Sequence, residues 1–79
     1  MKNEFRTSDF GLASTLVALE HQVFEFDRRN PKRVEFIFED SEEVSELVNA
    51  FWADSVTVSA QKLLAAQKKL KNRLYSSAL

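Results

Sequence analysis

One histidine and several serines are the residues of this sequence that could take part in nucleophilic catalysis. A serine nucleophile needs a neighbouring base, and the single histidine, His21, falls where a helix is expected to end and a strand to begin. The serines at 8, 14, 41 and 59 stand where helix caps or helix surfaces are expected. There is no cysteine to supply a thiolate. We therefore expect no catalytic residue, and we expect His21 to interact with the end of the helix.

A run of carboxylates is the one segment that could attract a hard cation. Five acids fall within eight residues: Glu39, Asp40, Glu42, Glu43 and Glu46. A calcium loop needs alternating ligands around a central glycine, and this segment lacks both. Helix capping and a solvated helix face explain these acids better. With one glycine in the chain, a phosphate-cradling loop is also not expected, so we predict no metal, no cofactor and no small-molecule substrate.

Two basic clusters could contact the phosphate backbone of a nucleic acid. One lies in a predicted turn, and the other lies within about 40° on the wheel of a predicted helix. Their members are Arg28, Arg29, Lys32 and Arg33, and Lys62, Lys69 and Arg73. An RNA-binding sheet stacks bases on exposed aromatic rings, whereas the expected open face here carries Glu25, Asp27, Glu35 and Glu39. The isoelectric point of about 5.8 also opposes nonspecific binding, so nucleic-acid binding is the alternative function.

Residues 21–38 predict a β-hairpin, because two runs of alternating apolar and polar residues flank a basic tip. Asn30-Pro31 suits the first two positions of a type I turn. Five apolar side chains are expected to form one buried face: Phe24, Phe26, Val34, Phe36 and Phe38. Phe26 must then face Val34 or Phe36, which leaves a loop of three or five residues, or a bulge. Val23 and Glu25 are placed on the opposite face.

The remaining elements are a short strand and three helices. The strand covers residues 4–7. The helices cover about 9–19 with Thr7 or Ser8 as N-cap, about 41–53 with Asp40 as N-cap, and about 60–75 with Ser59 as N-cap. In the last helix Leu63, Leu70 and Leu74 should face the core, with Ala60 and Leu64 beside them. Residues 56–58 are a candidate fourth strand.

The order β-α-β-β-α-(β)-α predicts one α+β domain over residues 1–79. The expected sheet is small, antiparallel or mixed, with three or four strands in the order 2-3-1. The helices should pack on one face of it, as a split β-α-β or ferredoxin-like arrangement with a C-terminal helix.

Charge is segregated along the chain although the net charge is −1. Residues 35–54 carry seven acids and no base, and residues 62–73 carry five bases and no acid. Such blocks can pair within one chain or between two chains. The chain shows neither an apolar run of bilayer length nor a secretory signal, so we expect a cytoplasmic protein without a membrane partner.

Several segments together resemble a known but uncharacterised family. They are the opening F-R-T-S-D-F-G-L-A, then R-V-E-F-I-F-E-D, the pair Phe51-Trp52, and the ending L-K-N-R-L-Y. The family consists of short bacterial and phage-associated proteins classed as a domain of unknown function, and the resemblance extends from Phe5 to Tyr75. Where a glycine would be expected after the first two helices, this chain has Glu20 and Ala53-Asp54. The resemblance implies the architecture above and brings no established activity.

We expect a non-enzymatic interaction module that forms a homodimer or binds another protein. The candidate interface consists of Val23 and Glu25 on the edge strand, Trp52 at the margin of the second helix, and Tyr75 near the C-terminus. An edge strand invites pairing with another chain, and amphipathic aromatic residues are enriched at interfaces. A domain of this size also gains stability from oligomerisation.

Overall fold

The computed structural model describes residues 3–76, which form three strands and three helices. The elements are β1 (Glu4–Thr7), α1 (Phe10–Ala18), β2 (Val23–Asp27), β3 (Glu35–Glu39), α2 (Glu42–Trp52) and α3 (Ala60–Ser76). The strands form one antiparallel sheet in the order β1-β3-β2, so the α+β class and the predicted strand order are confirmed. Residues 56–58 form no strand, and the candidate fourth strand is not part of the sheet.

One hydrophobic core lies between the sheet and the helices. Phe36 and Phe38 of the central strand β3 pack with Leu12 of α1, Val44 of α2 and Leu70 of α3. All five side chains are at most 3% exposed. Because every helix contributes to the same cluster, the three helices lie on the side of the sheet that carries these phenylalanines. Burying a side chain of this size is worth about 1.5–3 kcal/mol.

A β-bulge in β2 changes which side chains face the core. Val23 pairs with Phe38 and Glu25 pairs with Ile37, so the register shifts at Phe24. The extra residue turns Val23 inward and leaves Phe24 outside, and their exposed fractions are 4% and 52%. The predictions that Phe24 is buried and that Val23 faces outward are therefore wrong. Of the two predicted partners of Phe26, Val34 and Phe36, the structure pairs it with Phe36.

The hairpin loop is longer than predicted. Its last strand pair is Asp27 with Glu35, so the loop covers residues 28–34 instead of three or five residues. Asn30 and Pro31 begin a turn as predicted, because the Arg33 N–H donates to the Asn30 carbonyl at 3.0 Å. The Lys32 N–H also donates to the Asn30 side chain, which closes the tip locally.

Two helices begin at caps other than those predicted. Asp9 caps α1 and accepts the Leu12 N–H at 2.9 Å, while Ser41 caps α2 and accepts the Val44 N–H at 3.1 Å. Each side chain satisfies a backbone donor that has no partner inside the helix. The expected caps Thr7 or Ser8 and Asp40 are therefore wrong by one or two residues. The predicted Ser59 cap of α3 is confirmed by its contact with the Lys62 N–H at 3.4 Å.

The inward face of α3 is narrower than predicted. Ala66 and Leu70 are buried and Leu63 is half-buried. Leu64 is 64% exposed and Ala60 is exposed, so the expectation that these two lie beside the core is wrong. Each residue turns the helix by about 100°, which carries Leu64 away from the face that Leu63 and Leu70 share. None of the helices in residues 3–76 has the length and apolar character that a bilayer crossing requires.

Candidate functional site

The outer face of the sheet is organised by Arg6 of β1. Its guanidinium crosses the central strand, with Nη1 lying 2.7 Å from Asp27 on β2 and 3.3 Å from Glu35 on β3. Its Nη2 lies 3.2 Å from Glu4 on the same strand. Ile37 pairs with Arg6 across the ladder and is fully buried. We attribute this burial to the arginine stem, because long charged side chains can cover apolar surface.

Asp27 is the acid most strongly held in this network. It accepts hydrogen bonds from the side chain and the backbone N–H of Arg29, and from the side chain of Arg6. These donors favour the charged carboxylate and lower the pKa of Asp27 well below its usual value of 3.8, Arg29 contributing most. The hydrogen bonds to Asp27 raise the pKa of Arg6 and of Arg29 in return. The outer face is therefore a partly neutralised network rather than an open carboxylate surface.

Two of the basic candidates, Arg28 and Arg73, meet at the end of α3. The Arg28 Nη2 donates to the Leu74 carbonyl at 2.9 Å, and the Arg73 Nη1 donates to the Val23 carbonyl at 3.0 Å. Both guanidinium groups also lie over the ring of Phe26, at 5.3 Å and 5.0 Å from its centre. Arg28 therefore caps carbonyl groups of the last helical turn, and Arg73 covers a backbone acceptor of the edge strand.

Among the other basic candidates, Arg29 and Arg33 also make contacts within the chain. Arg29 binds Asp27, and the Arg33 Nε donates to the Ser8 hydroxyl at 3.0 Å. The structure does not bring the remaining candidates into ion pairs within residues 3–76, and they are exposed: Lys32, Lys62 and Lys69. Four of the seven candidate nucleic-acid contacts are thus engaged in contacts within the chain.

His21 lies against a carboxylate instead of a hydroxyl group. Its Nε2 is 2.7 Å from a carboxylate oxygen of Glu43, although the contact lacks the alignment of a good hydrogen bond. A cavity of about 730 Å³ opens beside it and is lined in part by Glu4, Glu20 and Phe24. Within residues 3–76 no three histidine or acidic side chains converge as metal ligands would.

Four large apolar side chains are exposed on the described part of the surface: Phe24, Trp52, Leu64 and Tyr75. The indole of Trp52 is 64% exposed but packs edge-on against Phe51, with ring centres 5.0 Å apart. Phe51 in turn lies against α1, since a Cβ on Gly11 would come within 3.7 Å of its ring. The exposed indole therefore rests on a ring that itself packs against α1.

The candidate protein interface keeps three of its four predicted members accessible. Trp52 and Tyr75 are exposed on helices, and Glu25 is exposed on the outer face of the sheet. Val23 is 4% exposed and cannot contact a partner, because the bulge turns it into the core. Leu64, which was expected beside the core, is a further exposed apolar residue that is not among the predicted interface members. The spacing of Leu63, Ala66 and Leu70 defines the inward face of α3, and Leu64 does not fall on that face.

The acidic helix and the basic helix do not neutralise each other. Helix α2 exposes Glu42, Glu43 and Glu46, and α3 exposes Lys62, Lys68 and Lys69. Helix α1 packs against both. No ion pair joins these glutamates to these lysines in the described part of the chain, where Glu43 contacts His21. Opposite charges therefore remain exposed on two different helices of one molecule.

The fold and these surfaces define a small α+β domain whose three-stranded antiparallel sheet is covered by helices on one side. The chain belongs to the family described as a domain of unknown function (DUF5659), whose family model matches residues 2–76. The expected membership of an uncharacterised family is confirmed. No curated protein and no solved structure matches the chain.

Proposed function

We propose that this protein is a non-enzymatic interaction module that forms a homodimer. The observation that carries the proposal is the exposed side chain of Trp52, which packs edge-on against Phe51. A rigid aromatic residue supplies a large contact area and loses little conformational entropy on binding, which is why tryptophan is enriched at the centres of interfaces. The proposal includes an accessory role in the cytoplasm of a bacterial or phage system, without a cofactor, a metal or a small-molecule substrate.

The roles of the candidate catalytic residues support a non-enzymatic function. Ser8 accepts a hydrogen bond from Arg33, and Ser41 and Ser59 cap helices. Ser14 is fully buried in α1. His21 lies against Glu43. Ser41 lines the same cavity as His21, but its hydroxyl accepts the Val44 N–H as the cap of α2.

The homodimer can be tested by measuring molecular mass in solution. Size-exclusion chromatography with light scattering should give twice the chain mass of 9.1 kDa at high protein concentration. The Trp52→Ala variant should shift the protein toward the single-chain mass while its circular dichroism spectrum stays native. Phe24→Ala is the matched control, because Phe24 is also an exposed aromatic residue but lies on β2. A wild-type mass of one chain at every concentration would contradict the homodimer.

A nucleic-acid-binding accessory function is the second candidate, and one groove favours it. Trp52 and Arg33 line the same groove of about 520 Å³, and an aromatic ring beside a cation is the arrangement that stacks nucleic-acid bases. Asp9 and Glu35 also line this groove and would repel a phosphate backbone. A gel-shift titration with single-stranded DNA and RNA at two salt concentrations tests this function. The absence of binding at low salt would exclude it.

A further inference from the structure

We infer that the partner of the exposed Trp52 surface is a second copy of this chain, with α2 of one protomer lying antiparallel on α3 of the other. This contact rests on the proposed homodimer, because it names the surfaces through which that dimer forms. Two-fold symmetry would produce the contact twice, each protomer supplying α2 to one contact and α3 to the other.

The outward stripe of α2 is acidic at its start and aromatic at its end. Residues separated by three or four positions share one face of a helix. Along α2 this face consists of Glu42, Ser45, Glu46, Asn49 and Trp52, all of which are exposed. The opposite side of the helix carries the buried Val44 and the half-buried Leu47, Val48 and Phe51. The stripe is thus free of contacts with the core.

The outward stripe of α3 is apolar near its start and basic further along. It consists of Leu64, Ala65, Lys68, Asn72 and Tyr75, and Lys71 lies at its edge. All of these residues are exposed, with Leu64 at 64% and Tyr75 at 71%. An exposed leucine beside an alanine offers a shallow apolar surface on which an aromatic ring can pack.

The two stripes match when the helices run in opposite directions. A helix rises about 1.5 Å per residue, so Trp52 lies about 9 Å beyond Glu46, and Leu64 lies about 6 Å before Lys68 and about 10 Å before Lys71. Placing Trp52 on Leu64 therefore brings Glu46 beside Lys68, while the Lys71 ammonium lies over the Phe10 ring, 5.7 Å from its centre. A parallel arrangement that keeps Glu46 beside Lys68 would instead place the Glu42 carboxylate on Leu64, which would desolvate a charge without compensation.

The absence of pairing between the helices within one chain is what makes a second copy the fitting partner. The glutamates of α2 and the lysines of α3 form no ion pairs with each other in the described residues. A second copy of the chain offers each of these surfaces a complement, because its α3 can face α2 and its α2 can face α3. Complementary charges of this sort determine the choice and register of a partner more than they determine affinity.

Charge reversal tests this contact directly. In Glu46→Lys and in Lys68→Glu the facing charges become alike, and we expect each variant to dimerise at least about tenfold more weakly than the wild type. Mixing the two variants should restore dimer formation, because a reversed α2 then faces a reversed α3. The chain that carries both reversals should dimerise alone. Glu20→Lys and Lys32→Glu make the same charge changes at exposed positions outside the helices and should leave the dimer unchanged.

A double-mutant cycle tests the direction of the helices. Trp52→Ala and Leu64→Ala should each weaken the dimer, and their combination should weaken it by less than the product of the two single effects. The pair Trp52→Ala and Tyr75→Ala should show no such coupling. Coupling of Trp52 to Tyr75 instead of Leu64 would overturn the antiparallel arrangement.

Failure of the contact differs from failure of the dimer. If the wild type dimerises and neither Glu46→Lys nor Lys68→Glu weakens it, the inferred contact is wrong and the proposed homodimer stands. If Glu25→Lys dissociates the dimer and the helix variants do not, the interface lies on the sheet. A wild type that stays at one chain mass contradicts both the contact and the homodimer.

Discussion

Arg6 determines the character of the outer sheet face. Its side chain reaches acids on all three strands, because the register places Arg6 beside Ile37 at the middle of the ladder. The acids that sequence analysis placed on an open carboxylate surface therefore include two, Asp27 and Glu35, that are bound to arginine. Exposed ion pairs of this kind contribute little individually, but this network also covers an otherwise exposed isoleucine.

Asp27 should govern part of the acid sensitivity of the fold. Its pKa in the folded state lies below the usual value of 3.8. The unfolded chain therefore takes up the proton first, so the stabilisation by this carboxylate is complete above about pH 5 and is lost as the pH falls. We expect Asp27→Asn to lower the free energy of unfolding at neutral pH and to flatten its decline in acid, as measured by urea titrations from about pH 7 to pH 2.

Glu25→Gln is the control for this measurement, since Glu25 lies exposed on the same face. In Glu25→Gln the free energy of unfolding should fall with pH as it does in the wild type. If the free energy of unfolding of Asp27→Asn falls in acid as steeply as that of the wild type, the contacts with Arg29 and Arg6 do not lower the pKa of Asp27.

Glu20 adopts a backbone conformation that favours glycine. It follows α1 with φ of 76°, and Asp54 follows α2 with φ of 58°. These are the two sites at which the family resemblance led us to expect glycine. A left-handed conformation costs a residue with a long side chain about 1 kcal/mol more than glycine, while aspartate tolerates it better.

Glu20→Gly should therefore stabilise the fold by about 1 kcal/mol, which corresponds to a rise of roughly 4–8 °C in Tm for a domain of this size. Thermal unfolding followed by circular dichroism measures this change, and Asp54→Gly should give a smaller rise. Lys69→Gly, an exposed position inside α3, should lower stability by about 1 kcal/mol. A loss of stability in Glu20→Gly would contradict the strain argument.

At the scale of elements, the bulge in β2 decides which aromatic side chains belong to the core. Strict alternation would bury Phe24, and the bulge replaces it with Val23. The bulge also disturbs the free edge of the sheet, where Arg73 already binds the Val23 carbonyl. Edge strands altered in this way are poor templates for pairing with another chain, which favours the helices over the sheet edge as the interface.

Because of the bulge, we expect alanine substitution of two hairpin phenylalanines to lower the free energy of unfolding by different amounts. Phe36→Ala should lower the free energy of unfolding by about 3–5 kcal/mol because it opens a cavity in the core. Phe24→Ala should change it by less than about 0.5 kcal/mol because the ring is half exposed. Urea denaturation of both variants, with Phe36→Leu as a milder core substitution, measures the difference. Equal costs at the two positions would contradict the observed register.

At the scale of the whole molecule, the proposed homodimer would link the stability of the fold to association. A partner that binds only the folded state raises the apparent stability by mass action. We therefore expect the Tm of the wild type to rise with protein concentration and this dependence to weaken at high salt, which screens the charges on α2 and α3. Differential scanning calorimetry over a hundredfold range of concentration measures both effects. The Glu46→Lys variant should show a weaker dependence on concentration.

Local patterns in the sequence determined the elements, their order and the centre of the core, because helix and strand periodicities depend on residues only a few positions apart. The split β-α-β order then restricted the sheet to one arrangement. The tertiary structure decided the features that depend on distant neighbours. The bulge at Phe24 follows from how β2 pairs with β3, and the position of Arg6 follows from the register of three strands. The separation of the acidic and basic helices follows from packing around α1, which charge runs alone cannot indicate because they record sequence and not distance.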